Sequence, residues 1–160
     1  MVAVDPQVGV TASIAARERR ADALRILMEE SLRERRTWER GMPLHCLSRL
    51  FMQAGRDPAI LAMHVWLIEQ AAFAHSKQQC LRHIRLAAEW TGTSVSRAGD
   101  VSLSWLLDAR TGGARLSAWL FAVFLDTVDC HGRPVYVPSG PDPFRFSRGS
   151  AEREQRGDGA

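Results

Sequence analysis

Residues 58–74 (PAILAMHVWLIEQAAFA) are apolar on nearly every face of any helix they form. A helix of that kind has to be surrounded by other elements, so this segment dictates a packed, multi-helix interior. A second run, 116–125, has the same character. Neither reads as a membrane span. The first contains His64, Glu69 and Gln70, and the second falls far short of the roughly 20 residues a bilayer requires.

Glycine and proline cut the remaining chain into pieces that repeat at helical spacing. From Ser13 to Arg40 the sequence predicts one long charged helix with a narrow apolar stripe of Leu24, Leu27, Met28 and Leu32. Gly41-Met42-Pro43 stops it. Leu44, Leu47, Phe51 and Ala54 then fall on one face, and Gly55 suits the position past that helix's end. Asp57-Pro58 restarts a helix, as an N-cap followed by proline at the first helical position. Ser76 caps a helix over 77–91 that Gly92 ends. Further helices are predicted over Ser102–Arg110 and 114–128, on either side of Thr111-Gly112-Gly113. Arg133–Pro138 reads as a short strand. The prediction is a mainly α fold, a compact bundle of about six helices with a minor β element near 133–138. One helical domain (13–138) lies between a mobile N-terminus (1–12) and a Gly, Pro and charge-rich tail (139–160) expected to be disordered.

The net charge of +3 is modest, but it is not spread evenly. Residues 76–115 carry six bases (Lys77, Arg82, Arg85, Arg97, Arg110, Arg115) against three acids (Glu89, Asp100, Asp108), which equals the whole excess. A phosphate-binding surface, if the chain has one, belongs there. Lys77 is the single lysine, an arginine bias that suggests a GC-rich bacterial source. The three cysteines, Cys46, Cys80 and Cys130, are odd in number and include no CxxC pair, which argues against a disulfide framework. MVAVDPQVGV lacks the basic start and apolar core of a signal peptide. A cytoplasmic protein with no membrane partner is expected.

Residues 80–107 (CLRHIRLAAEWTGTSVSRAGDVSLSWLL) carry a local resemblance. Ala88 is a small residue in a first helix, Gly92 stands at the turn four residues later, and Ala98 and Val101 follow as apolar positions. This pattern resembles the helix-turn-helix of bacterial transcription regulators. The resemblance covers only this segment. It implies a second helix opening at Thr93, Ser94, Ser96 and Arg97 that enters the major groove of double-stranded DNA. Arg82, Arg85, Arg97, Arg110 and Arg115 would then lie on phosphates. Thr91 and Thr93, Gly99 and Asp100 depart from the pattern. In a rival local reading Asp100 caps the following helix and 92–99 is a loop.

Other chemistry has less support in the sequence. Cys80 and His83 share a helix near His75, but the adjacent pairs His45-Cys46 and Cys130-His131 cannot easily both ligate one ion, so no metal site and no cofactor are expected. No nucleophile elbow or phosphate-binding glycine loop occurs, and no enzymatic activity is expected. His64 and Glu69 stand five apart, poor spacing for one helix face. Trp38 ends the charged helix with few apolar neighbours and could anchor a partner. The chain therefore reads as a small DNA-binding regulator that pairs as a homodimer through Leu24, Met28, Leu32 and Trp38. The alternative is a helical protein-interaction module with no nucleic-acid role.

Overall fold

The computed structural model describes residues 6–37 and 44–126, with side chains at 9–34 and 44–126. These residues form a mainly helical bundle: α1 (Pro6–Thr37), α2 (Leu44–Ala54), α3 (Pro58–Leu61), α4 (Val65–Phe73), α5 (Lys77–Trp90), α6 (Leu103–Leu106) and α7 (Ala114–Asp126). Single 3-10 turns occur at Ala98–Asp100 and Ala109–Thr111. No strand is present among the described residues, and none of their helices is long and apolar enough to cross a membrane. The strand predicted at 133–138, the tail at 139–160 and Trp38 lie outside the described residues.

Most helix boundaries follow from local chemistry. Asp57 accepts from the Ala59 N–H at 2.9 Å and so caps α3 ahead of Pro58. Ser76 and Gln79 form a reciprocal capping box on α5. Beyond the end of α5, Gly92 sits at φ 65°, a left-handed conformation that costs glycine nothing. α1 begins at Pro6 rather than near Ser13, so residues 6–12 continue the helix instead of forming a separate N-terminal segment. Proline suits a first helical position because the missing N–H would be unpaired there anyway.

The single helix predicted over 58–74 is two helices, α3 and α4. The break lies at Met63-His64, where the chain pairs with 101–103. The Leu103 N–H donates to the Met63 carbonyl at 2.7 Å and the Val65 N–H to the Val101 carbonyl at 2.9 Å. This short antiparallel bridge, His64 against Ser102, satisfies backbone groups that a continuous helix would have satisfied internally. The Ser102–Arg110 helix is likewise shorter than predicted, shrinking to α6 and the following 3-10 turn.

α4 packs between α1 and α5, and α7 packs chiefly on α5. The core is built from Leu27 of α1, Leu47 of α2, Ile60 of α3, Val65 and Ile68 of α4, Ile84 of α5, Leu103 and Leu106 of α6, and Trp119 and Val123 of α7. Every helix contributes, as the all-round apolar character of 58–74 required. Ser31 lies in the α1–α4 seam and donates its hydroxyl to the Met28 and Ala71 carbonyls, both at 2.9 Å.

Candidate functional site

The segment expected to form a recognition helix is a loop. Residues 93–97 have no helical structure, and the 3-10 turn at Ala98–Asp100 is the only helical geometry before α6. Ala88, Ala98 and Val101 are buried in the protein's own core. The Thr93 N–H donates to the Ala88 carbonyl at 2.8 Å and thereby finishes α5. This corrects the placement of Thr93, Ser94, Ser96 and Arg97 at a helix N-terminus. The physical reason is that Gly92 terminates α5 and Leu103, not Ser94, opens the next α-helix. The loop reading of 92–99 holds, but the residue preceding α6 is Ser102 rather than Asp100.

Three of the five arginines assigned to phosphate are held by carboxylates. Arg82 is paired with Asp126. Arg110 grips Asp108 with Nε and Nη2, at 2.8 Å for the latter. Arg115 is nearly buried, lies over the Trp105 ring at 4.8 Å, and donates to the Trp105 carbonyl at 3.3 Å and to Asp108 at 3.4 Å. Arg110 and its hydrogen bonds hold the Asp108 carboxyl at about 2. Arg85 and Arg97 are exposed and have no ion-pair partner among the described residues. The positive segment 76–115 is therefore largely neutralised on the surface it was expected to present.

The predicted partner-binding residues of α1 divide between two faces. Leu24 packs partly against the core beside Ala23 and Leu27, whereas Met28 and Leu32 point outward and are 49% and 47% exposed. At 100° per residue, Val10, Ile14 and Ala21 fall on the same outward side as Met28 and Leu32. Val10 and Ile14 are also exposed. So α1 has two apolar stripes, one inside the bundle and one facing outward. Residues 9–14 are exposed on every face.

A polar cluster missed at the sequence level lies between α4, α5 and α7. Glu69 is fully buried. Its Oε1 accepts from His83 Nδ1 at 2.6 Å and from His75 Nδ1 at 3.0 Å, and its Oε2 accepts from Trp119 Nε1 at 2.8 Å. The second ring nitrogen of His83, Nε2, donates to Asp126 at 2.8 Å. Burial opposes ionisation of Glu69, but these donors and the His83 charge outweigh it and hold the carboxyl at about 2. Burial also opposes charge on His83, yet Glu69 and then Asp126 raise its pKa above the ordinary value. With a carboxylate on each nitrogen, His83 is an imidazolium clasped between two acids. Burial, then the Glu69 charge and a hydrogen bond to Glu69, push the neighbouring Cys80 thiol up, so it stays protonated. Among the described residues, Glu69, His75 and His83 are the group that could hold a metal ion. Compared with known proteins, the chain matches no family model, no curated protein and no solved structure.

Proposed function

We propose that this chain is a helical protein-interaction module. Its docking surface is the outward apolar face of α1, and a second copy of the chain is the partner that face fits. One observation carries the reading. Val10, Ile14, Ala21, Met28 and Leu32 follow one another at intervals of 4, 7, 7 and 4 residues, a spacing symmetric about Ala21. In an antiparallel pair with its two-fold axis at Ala21, Val10 lies opposite Leu32 of the partner subunit and Ile14 opposite the partner subunit's Met28. The small Ala21 sits where the helices come closest. Such self-complementarity is the requirement of a two-fold interface. The stripe runs about 33 Å at 1.5 Å per residue.

Two further features support it. Residues 9–14 are exposed on every face, and a helical arm is marginal in water without an apolar surface to pack on. Arg25, beside the stripe, already binds Glu29 at 3.1 Å and Asp22 at 3.7 Å, so it would enter the interface with its charge compensated. Sedimentation across a concentration series tests the proposal. The expected result is a dimer at tens of micromolar that the double variant Ile14→Glu, Met28→Glu converts to a folded monomer, whose circular-dichroism spectrum loses no more helicity than the exposed N-terminal arm accounts for. A wild-type monomer throughout would overturn it. Salt-sensitive binding of a DNA duplex, lost in Arg85→Ala with Arg97→Ala, would favour the nucleic-acid alternative instead.

A further inference from the structure

The geometry points to a zinc-class metal site formed by Glu69, His75 and His83, and we propose that the chain binds one divalent transition-metal ion there. The ligand atoms Glu69 Oε1, His75 Nδ1 and His83 Nδ1 all lie within 4.8 Å of one another. A tetrahedral zinc ion with bonds of about 2.0–2.2 Å needs its ligand atoms about 3.3 Å apart. His75 Nδ1 is 3.0 Å from Glu69 Oε1, close to that spacing, His83 Nδ1, at 2.6 Å, must draw back by a fraction of an ångström, and the two Nδ1 atoms, within 4.8 Å of each other, close on the ion as it binds.

The surroundings carry the inference beyond a chance meeting of three polar side chains. Metal-binding histidines characteristically donate their other ring nitrogen to a carboxylate, which fixes the ring and the tautomer. His83 does this, with Nε2 on Asp126 at 2.8 Å. Trp119 occupies Glu69 Oε2 and so turns Oε1 toward the two histidines. Glu69 and His83 thus each have the far atom engaged and the near atom pointing into the cluster. The ligands come from rigid places: Glu69 from α4, His83 from α5, and His75 from the turn between them, one residue before the Ser76 cap. His75 is 13% exposed while Glu69 and His83 are closed off, so an ion has one side of entry and a water can complete the coordination there.

Binding has a defined proton balance. Both Nδ1 atoms donate to Glu69 in the metal-free chain, so each carries a proton that the ion must displace. Three bonds to the metal form and the Nδ1–H bond of each histidine breaks: the His83 proton leaves to solvent, while His75 carries its proton on Nε2 instead and binds as the neutral ring, so one proton is released. His83 keeps its Nε2 proton on Asp126 and becomes neutral. The carboxylate of Glu69 is already ionised and releases nothing.

The test uses the full chain after treatment with chelator and dialysis. Zinc is titrated calorimetrically in two buffers of different ionisation enthalpy, and cobalt is titrated in parallel by visible absorption. The expected result is one tight zinc per chain, proton release on binding, and the intense d–d bands of four-coordinate cobalt. His75→Ala, at the edge of the cluster, should fold normally and abolish the tight site. Asp126→Asn should weaken it roughly 10- to 100-fold while leaving all three ligands in place. Absence of zinc binding in the wild type would overturn the proposal. So would equal affinity in His75→Ala, since the ion would then sit on other histidines or thiols.

Discussion

Leu27 and Met28 are neighbours on α1, and the sequence placed both on one apolar stripe. The bundle treats them oppositely, with Leu27 2% exposed in the core and Met28 49% exposed on the outward face. Truncating Leu27 to alanine removes three methylene-sized groups from a seam that Ala23, Ser31 and the α4 backbone hold in place. Such core truncations cost about 2.7–5 kcal/mol, according to how far the site can collapse. The Ser31 bridge to Ala71 limits collapse here, so a loss toward the upper part of that range, about 4 kcal/mol, is expected. For a domain of this size that lowers Tm by roughly 15 °C. Met28→Ala should change monomer stability by no more than about 0.5 kcal/mol, as an exposed surface substitution does. Urea unfolding at submicromolar protein, where a dimer would be dissociated, measures both. At tens of micromolar, Met28→Ala should acquire a cost and wild type should gain stability, because association stabilises the folded chain by mass action. Equal costs for the two substitutions in dilute protein would show that α1 does not pack by its Leu27 face, and the separation of its two stripes would fail.

Other consequences of the same architecture can be checked with single variants. Trp119→Phe strips the donor from Glu69 Oε2 and leaves a void on the order of 40 Å³, so it should cost about 3 kcal/mol in chemical denaturation, shared between a charge-assisted hydrogen bond and the cavity. Arg115→Ala breaks a stacked, nearly buried guanidinium on Trp105 and should lower Tm clearly, whereas Arg85→Ala at an exposed position should leave Tm within error. Asp108 has its pKa lowered from 3.8 to about 2, so its ion pairs contribute stability that is complete above the ordinary value and lost as pH falls through about 2. Acid-unfolding curves of wild type and Asp108→Asn should therefore differ at neutral pH and converge toward pH 2.

How much of this could be read from the sequence depended on whether the cause was local. The ends of α5 were legible because Ser76, Gln79 and Gly92 act within a turn of themselves. Asp57-Pro58 was legible for the same reason. The break at Met63-His64 was not, since nothing in PAILAMHVWLIEQAAFA opposes a continuous helix. It exists because Val101 and Leu103, far along the chain, take up the backbone groups there. The recognition-helix pattern failed on a related point. Ala88, Ala98 and Val101 have the spacing of a motif, but small and apolar residues at that spacing also serve an ordinary core. Burial alone cannot distinguish the two when Gly92 and Gly99 leave the backbone free to turn.

The Glu69 cluster shows where pairwise spacing along a chain stops being informative. His64 stands five residues from Glu69 on what reads as one helix, too far round it to share a face. The partners of Glu69 are instead His75, His83 and Trp119, on different elements. A usable signal was still present. An acid within an apolar, all-round buried run must be paired, because leaving a charge unpaired in a core costs more than a small domain can spare. The following turn and helix offer His75, Cys80 and His83 within fifteen residues of it. Asking where the Glu69 charge goes, rather than which motif the histidines match, leads to α5 without any template. It also explains why the cluster is so fully bonded. Every proton donor that reaches Glu69 lowers the cost of keeping its carboxylate in the core, and the third, Trp119, turns the remaining oxygen toward the two histidines.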